Sequence, residues 1–139
     1  MEGITLRHDC AGVDWTQLKR DLADDGFDNG RTPEELERSF RASARVVFAC
    51  DVARIVGKAR ALSDGVCNAY VVDLWTRSSH RRRGIGRAMV EALLAPLDGQ
   101  HVYLFSDERA DFYAACGFHP RGLGMERVVG RWLGRFPPR

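Results

Sequence analysis

No run of about 18 consecutive apolar residues occurs in the 139-residue chain, so the sequence offers no membrane-spanning helix. The opening MEGITLRHDC lacks the basic-then-apolar pattern of a secretion signal, and a cytoplasmic location is expected. Cysteine occurs at Cys10, Cys50, Cys67 and Cys116, never as Cys-x-x-Cys and never clustered with histidine. That spacing argues against a zinc site; no metal is expected, and the thiols read as free and mostly buried. Lysine is scarce: Lys19 and Lys58 are the whole of it, and every other basic residue apart from the histidines is arginine. Codon usage alone can produce such a bias, so an arginine argues here only by its position. The net charge of +2 is too small to point to nucleic acid. Internal repeats, low-complexity tracts and linkers are also missing.

What remains is an ordinary globular composition, 45% hydrophobic and 29% charged, in a length that suits one domain with a core of its own. A single domain over residues 1–139 is expected, its tail from about residue 131 loosely packed. GITLRHD reads as a first strand. Trp15, Leu18, Leu22 and Ala23 keep helical spacing between Asp14 and Asp25, and Gly26 ends that helix. RTPEELERSFRAS reads as a second helix, with Thr32 as N-cap, Pro33 in the first turn and Glu35 three residues after the cap. ARVVFACD, RIVGKARALSD and VCNAYVVDLWT are strand-like, and the turn residues between them predict an antiparallel meander. Ile85, Ala88, Met89, Ala92, Leu93 and Leu97 then carry a helix that closes at Pro96, Asp98 and Gly99. HVYLFSD follows as a strand, so strand, helix and strand make a right-handed crossover with a parallel pair. RADFYAACG is a short helix ending at Gly117, and FHPRG and GMERVVGRW are expected to supply final strands. The fold class is α/β, with a mixed, mostly antiparallel sheet and flanking helices.

One stretch asks for a chemical explanation. In HRRRGIGRAM, residues 80–89, four basic side chains lead into two glycines and the start of a helix. The first N–H groups of a helix have no intrahelical partner and sit at the positive end of its dipole, where anions bind. Glycine leaves the backbone open to a phosphate, and flanking arginines add charge-assisted hydrogen bonds. Gly-Lys-Ser/Thr is absent, which excludes a P-loop, and Met89 stands where a dinucleotide fingerprint needs its third glycine. Two readings stay open on these residues: a solvated basic turn, or a cradle for a diphosphate.

RRRGIG, Arg81 to Gly86, and downstream DFYAACGF together resemble the GNAT superfamily of acetyl-CoA-dependent N-acetyltransferases. Its signatures are Gln/Arg-x-x-Gly-x-Gly/Ala opening a helix after a strand, and Phe-Tyr-x-x-x-Gly-Phe. The order of elements over about residues 2–130 is similar to that family's. The resemblance implies a GNAT fold, in which the strand before the glycine loop splays from its parallel neighbour. It implies acetyl-CoA as acyl donor and a small-molecule or peptide amine as acceptor, attacked directly in a ternary complex, with no nucleic-acid or membrane partner. A homodimer is compatible with it.

Residue by residue, the resemblance assigns the coenzyme A diphosphate to backbone N–H groups around Arg81, Arg82, Arg83, Gly84, Ile85, Gly86 and Arg87. Leu74, Trp75 and Thr76 would hold the pantetheine arm and acetyl carbonyl through backbone atoms. Tyr113 takes the place of the acid that protonates the leaving thiolate. An attacking amine with a pKa of about 10.4 must lose a proton first. Asp73, a carboxylate among apolar strand neighbours, is the leading candidate base, with a water relay as the alternative. Many relatives carry asparagine before this tyrosine where the chain has Ser106, followed by Asp107 and Glu108. Tyr70 is expected to line the acceptor pocket on the same strand face as Val72 and Leu74. Asp21, Asp24, Asp25 and Asp28 suggest either a polycationic acceptor or a solvated helix end. Two other functions compete: a coenzyme-A-binding regulator without turnover, and a basic nucleic-acid-binding module.

Overall fold

A computed structural model describes residues 1–137, and the order of elements follows the hydrophobic periods of the chain. Strand β1 (Ile4–Arg7) is followed by helices α1 (Trp15–Asp24) and α2 (Pro33–Arg41). Strands β2 (Arg45–Asp51), β3 (Arg54–Ser63) and β4 (Asn68–Thr76) come next, then α3 (Ile85–Leu94), β5 (His101–Tyr103) and α4 (Ala110–Ala115). Asp14 and Thr32 cap α1 and α2, and Thr32 and Glu35 form the reciprocal capping box that their spacing predicts. The five strands lie in the order β1-β2-β3-β4-β5, antiparallel through β4 and parallel between β4 and β5. The mixed α/β architecture is as expected.

Two apolar clusters hold the layers together. On one side of the sheet, Ile85, Met89 and Leu93 of α3 pack on Val47, Ala49, Ala59, Ala61, Ala69 and Val71. Small residues on the strands let the helix approach closely: a Cβ added to Gly57 would lie only 2.9 Å from Met89 Cε. On the other side, Trp15, Leu18, Leu22, Leu36 and Phe40 of α1 and α2 cover Val46, Phe48, Cys50 and Trp75. The crossover thus places α3 on one face and the first two helices on the other. Of the cysteines, Cys50 is buried, Cys10 and Cys116 are half-buried, and Cys67 is exposed; all four are free.

The C-terminal expectations fail in two places. Residues 118–131 form no strand, so FHPRG and GMERVVGRW do not extend the sheet; one isolated bridge joins Trp132 and Phe136. That stretch contains Pro120, Gly122, Gly124 and Gly130, which break extended pairing. The tail expected to be loose is instead tied down as far as the described residues run. Trp132 Nε1 donates to Asn29 O at 2.9 Å, and Arg135 donates to Gly30 O and to both oxygens of Glu35. The bonds from Arg135 to Glu35, with that from the Thr32 N–H, hold the Glu35 carboxyl down at a pKa of about 2.

Candidate active site

β4 pairs with β5 only from Asn68↔His101 to Tyr70↔Tyr103, yet β4 runs on to Thr76. Past Tyr70 the two strands part, and β5 supplies no backbone partner to the rest of β4. An extra residue in β4 accompanies the split: Arg60 pairs with Val72 and Lys58 with Trp75, so two β3 steps face three in β4. Asp73 sits at this bulge with φ +65°. The bulge changes which way side chains face. Tyr70 alternates with Ala69 and Val71, which face α3, whereas Leu74 itself packs on the α3 cluster. Tyr70 and Leu74 are therefore on opposite faces, not the same one.

The end of β4 is fixed by its side chains. Trp75 is buried and donates Nε1 to Asp25 Oδ2 at 2.9 Å, while Ser78 N–H donates to the same oxygen at 3.0 Å. Burial would raise the Asp25 pKa, but these two donors hold it below the ordinary value. One helical turn at Ser78–His80 leads into the glycine loop, and His80 Nε2 lies 3.0 Å from Asp51 Oδ2. Gly84 precedes α3 with φ +78°, and Arg82 also has positive φ, at +63°. Among the described residues the N–H groups of Ile85, Gly86 and Arg87 have no acceptor; the first helical bond runs from Ala88 N–H to Gly84 O. Buried Ile85 anchors this helix end in the core and leaves those donors facing outward.

The two glycines meet different needs. Around Gly84 there is open space, and its requirement is conformational. A Cβ on Gly86 would lie 3.3 Å from Phe112 Cζ and 3.4 Å from Thr76 Oγ1. Gly86 is thus where α3, α4 and the end of β4 converge. Three arginines of the loop have protein partners: Arg81 Nε donates to Thr76 O, Arg83 Nη2 to Glu2 O, and Arg87 Nε to Glu91. Arg81 also lies over the Phe27 ring at 5.3 Å. Their charges stay beside the helix terminus, held in place rather than swept through solvent.

Tyr113, on α4, is half-buried between Phe112 and Phe118, with ring centroids 5.1 and 6.1 Å away. Burial pushes its phenol pKa above the ordinary value, partly offset by Arg109. Such a group keeps its proton until a stronger base asks for it. Ser106 Oγ accepts from Arg109 N–H at 2.9 Å, so its oxygen shapes the turn into α4 rather than standing free.

Asp73 does not suit a base. Arg31 grips both its oxygens at 2.8 and 3.0 Å, Lys58 Nζ donates to its carboxylate and its carbonyl, and Arg60 Nε donates to Oδ2. Burial alone would raise its pKa, but Lys58, Arg31 and Arg60 outweigh burial and hold it well below the usual carboxylate range. A proton acceptor so poor, with its lone pairs engaged, cannot deprotonate an amine near neutrality. Lys58 is in turn pulled down to about 8 by burial, against the support of Asp73. Three acids of this helix end are engaged in structure: Asp21 faces Arg77, Asp25 holds Trp75, and Asp28 binds Lys19 and Gly30 N–H.

A free helix terminus opening beside a split, bulged strand pair matches a known family. The model of the acetyltransferase (GNAT) domain matches residues 42–120, more than half of the chain and the whole of the segment from β2 to α4. The chain belongs to the GNAT acetyltransferase family. Serotonin N-acetyltransferase 2, chloroplastic, from Oryza sativa subsp. japonica is 36% identical over 125 residues, 84% of this chain and 62% of that protein. The chain therefore spans less than two thirds of this relative's length. GCN5-related N-acetyltransferase 1, chloroplastic, from Arabidopsis thaliana is 29% identical over 133 residues, 91% of this chain and 67% of that protein. A GNAT-family structure from Xanthomonas campestris pv. campestris superposes with a TM-score of 0.80 at 26% identity, covering 93% of this chain and 95% of its own. One from Streptococcus pneumoniae gives 0.74 at 26%, covering 91% and 98%. In this GNAT domain no group of three histidine, cysteine or acidic side chains is placed to hold a metal ion, among the described residues. Of the residues that matter here, sequence reasoning missed Arg31, Lys58 and Arg60. Lys58 and Arg60 alternate on the strand next to Asp73, and that period-2 pair of cations was the available signal.

Proposed function

We propose that this GNAT domain transfers the acetyl group of acetyl-CoA to a primary amine of a small molecule or peptide, by direct attack within a ternary complex. The observation that carries the reading is the set of unpaired N–H donors on Ile85, Gly86 and Arg87, opened by the left-handed turn at Gly84. Those donors, the helix dipole and the tethered Arg81, Arg83 and Arg87 suit a diphosphate. The stretch of β4 at Leu74, Trp75 and Thr76, with which β5 does not pair, suits an extended amide-bearing arm such as pantetheine.

The chain's own groups then divide the chemistry. Backbone N–H groups of β4 beyond Tyr70, where β5 no longer pairs with it, stabilise the oxyanion that forms at the acyl carbon. Tyr113, its proton held by burial, delivers it to the departing thiolate. Asp73 is spoken for, so the proton of the incoming amine leaves through water in the open split. Steady-state release of coenzyme A thiol tests the proposal. Thiol should appear from acetyl-CoA only when an amine is added, together with the N-acetylated amine by mass spectrometry. Cofactor binding without turnover on any amine would reduce the protein to a coenzyme-A-binding regulator.

A further inference from the structure

We propose that Asp25, at the C-terminal end of α1, is a positioning residue of the donor site: it acts through the backbone, fixing the distance between the two stretches that hold the donor. This rests on the acetyl-CoA reading above and names what keeps that site in shape. A donor that runs from Leu74, Trp75 and Thr76 to the free N–H groups of Ile85, Gly86 and Arg87 bridges two separate pieces of backbone. Between them lie residues 77–84, which hold a single helical turn, at Ser78–His80, and are exposed at Ser78, Ser79 and from Arg81 to Gly84. Left to itself such a connection samples many conformations, and each sets a different span between the two stretches.

One carboxylate oxygen closes this joint. Asp25 Oδ2 accepts from Trp75 Nε1 at 2.9 Å on the strand side and from Ser78 N–H at 3.0 Å on the loop side. Trp75 is buried, so packing holds the strand side, and the bond to Ser78 carries that fixed position into the loop. Other contacts from the same end of α1 reinforce the grip. Asp21, four residues earlier on the same helix face, lies 3.5 Å from Arg77 Nη1. Phe27, just past the left-handed turn at Gly26, lies 5.3 Å under the Arg81 guanidinium. Electrostatics points the same way from the helix side. α1 ends on Asp24 and Asp25 with no basic residue in its last turn, so these carboxylates face the negative end of its dipole. An acid there is unfavourable unless donors come to it, and for Asp25 the donors come from β4 and the loop. A local rule broken in this way marks a place where the fold serves a site.

Calorimetric titration of the full chain with acetyl-CoA tests this, at a temperature where circular dichroism shows each variant folded. Asp25→Ala should raise Kd about ten-fold or more, the loss expected when the loop keeps its binding geometry about a tenth of the time. Asp25→Asn keeps an oxygen that accepts both bonds and should stay within about three-fold of wild type. S-acetylpantetheine reaches β4 but carries no diphosphate, so its Kd, read from amide shifts, should be the same in wild type and Asp25→Ala. A merely structural defect would weaken both ligands alike. Should Asp25→Ala not fold, Ser78→Pro takes its place: it removes the loop-side N–H at the first position of a helical turn, where proline is accommodated, and should raise Kd for acetyl-CoA about three-fold or more. An unchanged Kd for acetyl-CoA in the variant tested, an equal weakening of S-acetylpantetheine, or a loss in Asp25→Asn as large as that in Asp25→Ala overturns the positioning role and leaves the acetyl-CoA reading standing. No binding of acetyl-CoA to wild type overturns that reading and this inference with it.

Discussion

Replacing Asp73 by asparagine keeps the shape of the side chain and removes the one anion facing Arg31, Lys58 and Arg60. The carboxylate side chain is only 11% exposed, and those of Arg31 and Lys58 are 8% and 3% exposed, so the stranded cations cannot simply return to water. Deleting one partner of a buried ion pair costs about 3–5 kcal/mol. Arg31 keeps its bonds to Asn29 and Ser39, which argues for the lower end, about 3 kcal/mol. For a domain of this size each kcal/mol moves Tm by roughly 3–5 °C, so thermal unfolding at pH 7 should fall by about 10–15 °C. The pH dependence follows from the direction of the shift. The folded pKa of Asp73 lies below its unfolded value of about 3.9, so its stabilising effect is complete above that value and fades as pH falls towards the folded pKa. The Tm gap between wild type and Asp73→Asn should hold from pH 5 to pH 7 and close only in stronger acid. Activity measured where the variant is fully folded should keep its pH profile, since so poor a proton acceptor is not expected to serve as the base. An unchanged Tm together with a loss of kcat of about 100-fold or more, the range for removing a general base, would refute this reasoning.

Lys58 should leave a signature of the same sign in a different window: its folded pKa of about 8 lies below the unfolded value, the unfolded chain binds more protons, and this residue's contribution should make stability rise between about pH 8 and pH 10.5, checked by denaturant titration of wild type against Lys58→Met. Tyr113→Phe should lower kcat by about 100-fold while leaving the KM for acetyl-CoA within about two-fold, since it removes a proton donor and keeps the ring; equal losses in both would make the tyrosine a wall of the site. Gly86→Val should displace Phe112 and α4 and abolish thermal stabilisation by acetyl-CoA in a domain that still shows its native circular dichroism. Trp132→Ala should cost about 1–3 kcal/mol in urea unfolding through loss of its bond to Asn29 O, where a loose tail would cost nothing.

The elements most legible in the sequence are those whose period and punctuation agree. The capping box at Thr32 and Glu35, the meander of β2, β3 and β4, and the glycine-led α3 all lie where residue order puts them. The unpaired donors at Ile85, Gly86 and Arg87 were also readable, because a helix terminus without a side-chain cap has nowhere else to send them. Asp73 was singled out correctly as a carboxylate that needed a reason, but its reason lies in Arg31 from the helical half and in Lys58 and Arg60 from the next strand. Such a convergence depends on tertiary pairing and on a bulge, and no local pattern announces either. The same bulge reversed the facing of Leu74 relative to Tyr70, since one inserted residue turns every later side chain over. GMERVVGRW shows the converse: strand-like residues without a paired edge do not make a strand.

Backbone amide shifts of the 15N-labelled chain titrated with coenzyme A test the central claim most directly. The account expects the largest changes at Gly84, Ile85, Gly86 and Arg87, with smaller ones along Leu74, Trp75 and Thr76. Shifts concentrated elsewhere, with the amides at the start of α3 unmoved at saturation, would contradict it.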